Sequence, residues 1–136
     1  AQASVVQSRI KQIARPIYSN PPIHGARIVD IILGDETLTS MWHQDLRDMS
    51  GRMAEMRQGL VEKLTAKGNE HNWKHVTDQI GMFAFTGLNT DQVNELREKY
   101  AIYMTMDGRI SIAGLNTGNL DYVVDAFHAV THGKEF

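Results

Sequence analysis

The sequence predicts an α+β fold in which helices, including one long bridging helix, pack on a small sheet. Three observations support this prediction. Apolar residues recur at helical spacing over most of the chain. Strand-like segments are few and short, and the helices are largely segregated from them. With 136 residues, 42% of them hydrophobic, the chain is long enough for one modest core.

The first predicted helix occupies the N-terminal residues. Its apolar side chains stand at helical spacing: Val5, Val6, Ile10 and Ile13. Because a proline restricts the residue before it to extended backbone, this helix should end near Ala14, ahead of Pro16. Residues 15–22, which contain all three prolines, should then form an ordered, extended connection.

Two further helices should follow. A short one runs from about His24 to Leu33, with Gly34 as its terminator and Asp35 as the cap of the next helix. That next helix is long and ends at Gly68, and we expect its apolar stripe to be buried throughout. The stripe consists of Leu38, Trp42, Leu46, Met49, Met53, Met56, Leu60 and Leu64. Two glycines inside this helix, Gly51 and Gly59, suggest close packing of a neighbouring element.

The rest of the chain alternates between short elements. After a polar, irregular segment at 69–79, residues 81–86 resemble a strand, and Thr90 should cap a helix that reaches about Lys99. Segments 102–105 and 109–112 flank an Asp-Gly pair, which favours a hairpin. A last helix should begin after Asn116 or Thr117, before a frayed tail at 132–136. Its expected buried face is Leu120, Val123, Val124, Phe127 and Val130.

Composition excludes several classes of function. A net charge of −2 argues against nucleic acid or an anionic membrane as partner, and no apolar run reaches the ~18 residues of a membrane span. The absence of cysteine excludes disulfides and thiolate metal sites. Two histidine pairs have the spacing of metal ligands, His71 with His75 and His128 with His132, but no third ligand is indicated. We therefore expect no metal site.

Two arginines lie on backbone that the sequence makes stiff. Arg15 precedes a proline, and Arg109 begins a strand after a tight turn. A guanidinium held in this way suits planar, bidentate binding of a carboxylate. From the residues alone, an ordinary surface ion pair is the favoured explanation for both side chains.

Several motifs, taken together, resemble the aspartate aminotransferases of the fold-type-I pyridoxal-phosphate class. They are YSNPP (18–22), GARI (25–28), HNW (71–73), TDQIGMF (77–83), FTGL (85–88), DGRIS (107–111) and AGL (113–115). The similarity extends over essentially the whole chain, in order and with matching spacing. HNW and the segment IYMT (102–105) resemble the mitochondrial type. The resemblance thus implies a mitochondrial enzyme, with the cytoplasm or a plastid as the alternative.

The resemblance implies a domain organisation and residue roles. Residues 1–34 would end the large domain and include a dimer-interface loop, and residues 35–136 would form the C-terminal small domain, entered by the long helix. Arg109 would bind the substrate's α-carboxylate, and Arg15 would bind the distal carboxylate across the homodimer interface. Phe83 would lie near the substrate, and Ser19 and Asn20 would lie at the interface beside the active site.

The resemblance also implies a reaction and a cofactor. The full-length enzyme would convert L-aspartate and 2-oxoglutarate into oxaloacetate and L-glutamate, with pyridoxal 5'-phosphate as cofactor. No lysine of the chain stands in the family's cofactor-binding motif, so the isolated chain is expected to be inactive. Two alternatives remain open. One is an aromatic or broad-specificity aminotransferase of the same subfamily, and the other is a non-catalytic helical interaction module.

Overall fold

The computed structural model describes residues 2–19 and 21–134. The chain forms two compact units, residues 1–45 and residues 46–136, and each is described by itself. No helix in the described ranges is long and apolar enough to cross a membrane. The division into a large-domain segment at 1–34 and a small domain at 35–136 stays a prediction.

Helix α1 of the first unit, Gln2–Tyr18, continues through Pro16. The prediction that it ends near Ala14 and that an extended connection follows directly is therefore wrong. A proline removes only its own N–H donor, and Ser19 N–H still donates to Arg15 O at 3.0 Å beyond it. Ser19 then adopts a left-handed conformation, with φ at 44°, which ends the helix.

Helix α2 of the first unit, His24–Gly34, confirms the predicted short helix. Asp35 caps the following helix as predicted, because its Oδ1 accepts a hydrogen bond from Leu38 N–H at 2.9 Å. The Thr39 hydroxyl donates to Ile32 O at 2.7 Å, which joins the end of α2 to the first turn of that helix. Local hydrogen bonds thus fix this corner.

Helix α3, Glu36–Ala66, is the predicted long helix, and it ends as expected at Gly68. Gly68 has φ of 72°, which allows Asn69 N–H to bond Leu64 O at 3.1 Å and close the helix end. The prediction that its apolar stripe is buried throughout is wrong, however. Met56, Leu60 and Leu64 are buried, whereas the N-terminal members of the stripe are 37–54% exposed. Helical spacing shows which side chains share a face, not whether another element covers it.

The second unit contains three further helices, α4 (Lys74–Asp78), α5 (Thr90–Tyr100) and α6 (Leu120–Thr131). Helix α4 lies inside the segment that was predicted to be irregular, and Trp73 beside it is 2% exposed. The Trp73 indole N–H donates to Asn69 Oδ1 at 2.8 Å, so this ring is buried with its polar atom satisfied. Burial of one large ring orders a segment whose other residues are mostly polar.

The start of each later helix differs from the prediction. Asn89, not Thr90, caps α5 through a reciprocal capping box with Gln92. Helix α6 begins at Leu120, later than expected, because Asn116 instead caps a turn by accepting from Gly118 N–H and Asn119 N–H. Residues 132–134 continue as a turn, and the end of the predicted tail, 135–136, lies outside the described residues.

The core of the second unit forms where α3, α5 and α6 meet the sheet. Its largest fully buried side chains include Trp73, Phe127, Leu60, Leu64, Leu96 and Ile112. The predicted face of α6 is confirmed in full. Gly59 allows the close approach that its position suggested, because a Cβ there would lie 2.9 Å from Leu120 Cδ2.

The sheet has two short antiparallel strands, β1 (Phe83–Phe85) and β2 (Arg109–Ser111). Phe83 pairs with Ser111 and Phe85 pairs with Arg109. The predicted hairpin of 102–105 with 109–112 is wrong as a strand pair, although its turn forms through Gly108 N–H and Thr105 O at 3.0 Å. The strand β2 takes β1 as its partner because Thr86, which follows β1, bonds Gly108 O through both its N–H and its hydroxyl.

Candidate functional site

The two-stranded sheet presents an outward face that carries two of the predicted site residues. Side chains alternate between the faces of a strand, and here Ala84 and Ile110 point inward. Phe83, Phe85 and Arg109 lie on the outward face. The structure therefore places Phe83 and Arg109 on one surface, as the resemblance implied.

Phe85 and Arg109 lie opposite each other on this face. Neighbouring hydrogen bonds, such as Thr86 N–H to Gly108 O at 2.9 Å, make this a pair without mutual hydrogen bonds. In such pairs the Cα atoms approach to about 4.5 Å and the side chains are close. Phe85 and Arg109 are thus cross-strand neighbours on the outward face.

The Arg109 backbone is held by the turn that precedes it. Its N–H lies 3.1 Å from Thr105 Oγ1 and 3.3 Å from Asp107 Oδ1, and its carbonyl accepts from Thr105 N–H at 3.2 Å. The Arg109 side chain is 58% exposed, and its Nη2 is 3.5 Å from Asp107 Oδ2. Arg109 is therefore a cation on fixed backbone with much of its donor surface accessible.

Asp107 supplies a negative charge beside this cation. A hydrogen bond from the Thr105 hydroxyl holds the pKa of the Asp107 carboxyl below its ordinary value, and the Arg109 backbone N–H and charge act in the same direction. Asp107 therefore remains ionised under neutral and mildly acidic conditions. The pair is solvated, so it leaves Arg109 accessible to a competing anion.

Gly108 determines where Arg109 begins the strand. Its φ of 83° lies in the region that favours glycine, and a Cβ at this position would lie 2.7 Å from Leu88 O. A side chain would have to displace backbone, which is costly. The site thus depends on one residue for both its conformation and its close packing.

The outer edge of β1 is closed by the side chain of Gln79, which the sequence analysis missed. Phe85 N–H donates to Gln79 Oε1 at 2.7 Å, and Gln79 Nε2 donates to Phe85 O at 3.0 Å. This amide occupies the hydrogen-bonding positions that a third strand would use. No local sequence signal distinguishes such a glutamine from a surface glutamine.

Arg57 is the second residue that the sequence analysis missed. Its side chain is buried, with 5% exposure, and its guanidinium donates to Val76 O at 2.7 Å, Gly81 O at 2.9 Å and Phe83 O at 2.8 Å. Burial lowers the pKa of Arg57, and the three carbonyl oxygens stabilise the retained charge. One signal in the sequence could have indicated that Arg57 is buried. Arg57 follows Met56 of the apolar stripe and lies three residues before Leu60, which is also in the stripe.

A second arginine of α3 binds the segment that follows β2. Arg52 Nη1 donates to Leu115 O at 2.7 Å and Nη2 donates to Ala113 O at 3.2 Å. These carbonyls belong to the 3-10 turn Ile112–Gly114 and the residue after it. Arg57 thus joins α3 to β1 and the loop before it, whereas Arg52 joins α3 to the segment after β2.

The remaining predicted site residues belong to the first unit. Arg15 is exposed in the last turn of α1, and Ser19 follows it with a left-handed backbone. Asn20 lies outside the described residues. The structure brings Arg109 and Phe83 together, and it describes Arg15 and Ser19 only within their own unit.

The histidine pairs contact protein groups. His71 Nε2 lies 3.0 Å from Thr131 O, and His75 Nε2 lies 3.0 Å from Thr86 O. Across residues 2–19 and 21–134, no group of three or more His, Cys, Asp or Glu side chains is arranged to hold a metal ion.

Comparison with known proteins places this arrangement in a family. A sequence model of the family described as aminotransferase class I and II matches residues 1–127. The chain belongs to the class I and II aminotransferases. The mitochondrial aspartate aminotransferase of Gallus gallus is 48% identical to this aminotransferase chain over 130 residues, which are 96% of the chain and 31% of the relative. The chain therefore spans about a third of the length of that relative.

Two solved structures confirm the fold-type-I aminotransferase fold. A mitochondrial aspartate aminotransferase from Trypanosoma brucei has a TM-score of 0.86 and 46% identity, and the match covers 96% of this chain and 34% of that one. An aromatic-amino-acid aminotransferase from Burkholderia pseudomallei, covalently bound to pyridoxal phosphate, has a TM-score of 0.88 and 45% identity, over 96% and 33%.

Proposed function

We propose that this aminotransferase chain is the C-terminal part of an aspartate aminotransferase that converts L-aspartate and 2-oxoglutarate into oxaloacetate and L-glutamate. The observation that carries the proposal is Arg109, an accessible guanidinium on a glycine-dependent turn, within a chain 48% identical to a mitochondrial aspartate aminotransferase. The names of the relatives support a mitochondrial enzyme. The substrates are dicarboxylic amino acids and oxo acids.

Arg109 binds the substrate α-carboxylate in this proposal. A guanidinium presents paired N–H donors that match a carboxylate in plane, and such charge-assisted bonds are about twice as strong as neutral ones. The solvated Asp107 contact yields to the substrate because a single 3.5 Å ion pair between exposed groups is weak. Phe83 supplies apolar contact from the same face and excludes water from the bound substrate.

Arg15 binds the distal carboxylate in the proposed enzyme, from the partner subunit of a homodimer. Ser19 and Asn20 lie beside the same interface. Two arginines at opposite ends select a dicarboxylate, because a substrate without its second carboxylate leaves a guanidinium unpaired. Sedimentation analysis of the full-length enzyme tests the dimer, and a monomer with full activity would contradict the role of Arg15.

The described residues do not form a pyridoxal-phosphate site by themselves. Five of the chain's six lysines are in ion pairs: Lys63 with Asp121, Lys67 with Asp125, Lys74 with Asp78, and both Lys99 and Lys134 with Glu95. When bound, the cofactor supplies an electron sink for the substrate α-carbon. We propose that its lysine belongs to the rest of the enzyme and that this chain alone is inactive.

An aromatic aminotransferase is the second candidate function. The observation that favours it is the Burkholderia structure, whose identity to this chain is close to that of the aspartate enzymes. Relative turnover of aspartate and phenylalanine distinguishes the two candidates. We expect aspartate to be preferred, because Arg15 would pair with its second carboxylate.

A hybrid enzyme tests the proposed function. In this hybrid, the chain replaces the matching 130-residue segment of the Gallus gallus enzyme. We expect transamination between aspartate and 2-oxoglutarate from the hybrid with cofactor, and none from the isolated chain. A hybrid that folds and binds pyridoxal phosphate but turns over neither aspartate nor phenylalanine would overturn the proposal.

A further inference from the structure

We propose that Arg57 is a positioning residue for the substrate-binding face, acting through the backbone of Phe83. The inference rests on the proposed function and extends it to a side chain that does not itself face the substrate. Three contacts carry it, from the buried guanidinium to the carbonyls of Val76, Gly81 and Phe83.

The Phe83 carbonyl links Arg57 to the substrate-binding face. Phe83 pairs with Ser111 at a position without mutual hydrogen bonds, as the flanking bond from Ile112 N–H to Met82 O at 2.8 Å shows. Its carbonyl therefore points away from β2 and receives no hydrogen bond from that strand. Arg57 Nη2 supplies the donor at 2.8 Å. The backbone that directs the Phe83 ring outward is thus bonded to the buried Arg57 guanidinium.

Arg57 also binds the loop that leads into β1. Gly81 has φ of 89°, and Ile80 is 94% exposed, so apolar burial does not hold the loop at its centre. Arg57 bonds the loop at Gly81 and the preceding helix α4 at Val76, while Gln79 bonds Phe85. Hydrogen bonds, rather than apolar packing, therefore fix the position of this loop.

Buried residues of α3 surround Arg57 in the sequence. The residue lies in α3 between Met56 and Leu60, which are 6% and 0% exposed. Buried neighbours keep the guanidinium in one place, and its fork of donors reaches three carbonyls at once. Helix α3 is packed in the core of the second unit. The hydrogen bonds of Arg57 therefore fix the Phe83 backbone relative to that core.

The test compares Arg57→Met with Arg52→Met in the hybrid enzyme. Both variants remove guanidinium–carbonyl bonds made by α3. The Arg52 bonds go to Leu115 and Ala113, which follow β2 and have no proposed contact with the substrate. We expect Arg57→Met to raise KM for aspartate by roughly tenfold or more, with kcat less affected, because misplaced binding groups lose ground-state and transition-state contacts alike. The Arg52→Met change should alter KM by less than about threefold.

Two further measurements separate positioning from general loss of structure. Amide hydrogen exchange should accelerate over residues 79–86 in Arg57→Met and not in Arg52→Met. Arg57→Lys should give an intermediate KM, because an ammonium donates from one point and cannot match the spread of three carbonyls. Circular dichroism at the assay temperature confirms that each variant is folded.

The outcomes are distinct. An unmodified hybrid that folds and binds pyridoxal phosphate but turns over neither aspartate nor phenylalanine overturns the proposed function, together with the role of Arg57 that rests on it. An active hybrid in which Arg57→Met and Arg52→Met change KM and exchange equally leaves that function standing and overturns the role of Arg57. If Arg57→Met does not fold, the Arg57→Lys variant decides: unchanged KM together with unchanged exchange at 79–86 would overturn the inference.

Discussion

Helices α1 and α6, one in each unit, carry similar apolar stripes, yet only the stripe of α6 is buried. On α1 the stripe includes Val5, Ile10, Ile13 and Ile17, which are 59–71% exposed. On α6 the corresponding stripe of valines, Leu120 and Phe127 is at most 8% exposed. The difference shows that amphipathic spacing identifies the apolar face of a helix but does not determine whether another element packs against that face. Contiguous exposed apolar faces of this kind are typical of interaction surfaces.

Substitutions of apolar residues in the two stripes should differ most in stability. Phe127→Ala removes a fully buried ring and should destabilise the isolated chain by about 3–5 kcal/mol. Ile13→Ala, at a side chain 68% exposed, should cost less than about 0.5 kcal/mol. Urea denaturation followed by circular dichroism measures both values. Equal losses would show that α1 is covered in solution and would remove the contrast between the units.

Substitutions of Arg15, in the first unit, and Arg109, in the second, should differ in their effect on substrate preference. Arg109→Leu should lower kcat/KM for both aspartate and alanine by roughly a hundredfold, since each substrate has an α-carboxylate. Arg15→Leu should lower kcat/KM for aspartate comparably and spare alanine, which lacks a distal carboxylate.

The hybrid enzyme is again the protein in which these arginine variants are assayed, with alanine turnover of the unmodified hybrid as the baseline. Equal losses for aspartate and alanine in Arg15→Leu would contradict the distal-carboxylate role.

Two glycines in the second unit should respond oppositely to alanine. Gly108→Ala should destabilise the chain by about 2 kcal/mol, because φ is positive and Leu88 O lies within 2.7 Å of the new Cβ. Gly51→Ala places a methyl group where no described heavy atom lies within 4 Å, and it should stabilise α3 by about 0.5–1 kcal/mol. Thermal and urea unfolding measure the pair. A neutral Gly108→Ala would contradict the close approach of the turn to Leu88.

The smallest effect should come from Glu95, which pairs with Lys99 and Lys134. The hydrogen bond from Lys134, followed by that from Lys99, lowers the pKa of Glu95. Because the folded pKa is depressed, the stabilisation is present above the ordinary glutamate pKa and is lost as the pH falls through the lowered one. Glu95→Gln should therefore be less stable at neutral pH by under about 1 kcal/mol, given solvent screening. A difference that persists in acid would exclude these ion pairs as its cause.

Much of the candidate site was predictable because it rests on local signals. The Asp-Gly turn and Arg109 after it stand in a short motif, and the structure places Phe83 on the same face. Arg57 and Gln79 were not predictable in this way. The partners of Arg57 are 19–26 residues away, and Gln79 bonds backbone that is six residues away across a turn.

The sequence by itself determined the helices α2, α3 and α6, the end of α3 at Gly68 and the turn at Gly108, because each depends on spacing, capping or positive φ within a few residues. It also carried the motifs that place the chain among the aminotransferases. Only the tertiary structure decided the pairing of β1 with β2, the burial of Arg57 and the half of α3 that is covered. Those features depend on contacts between distant segments, and local patterns do not encode which surfaces meet.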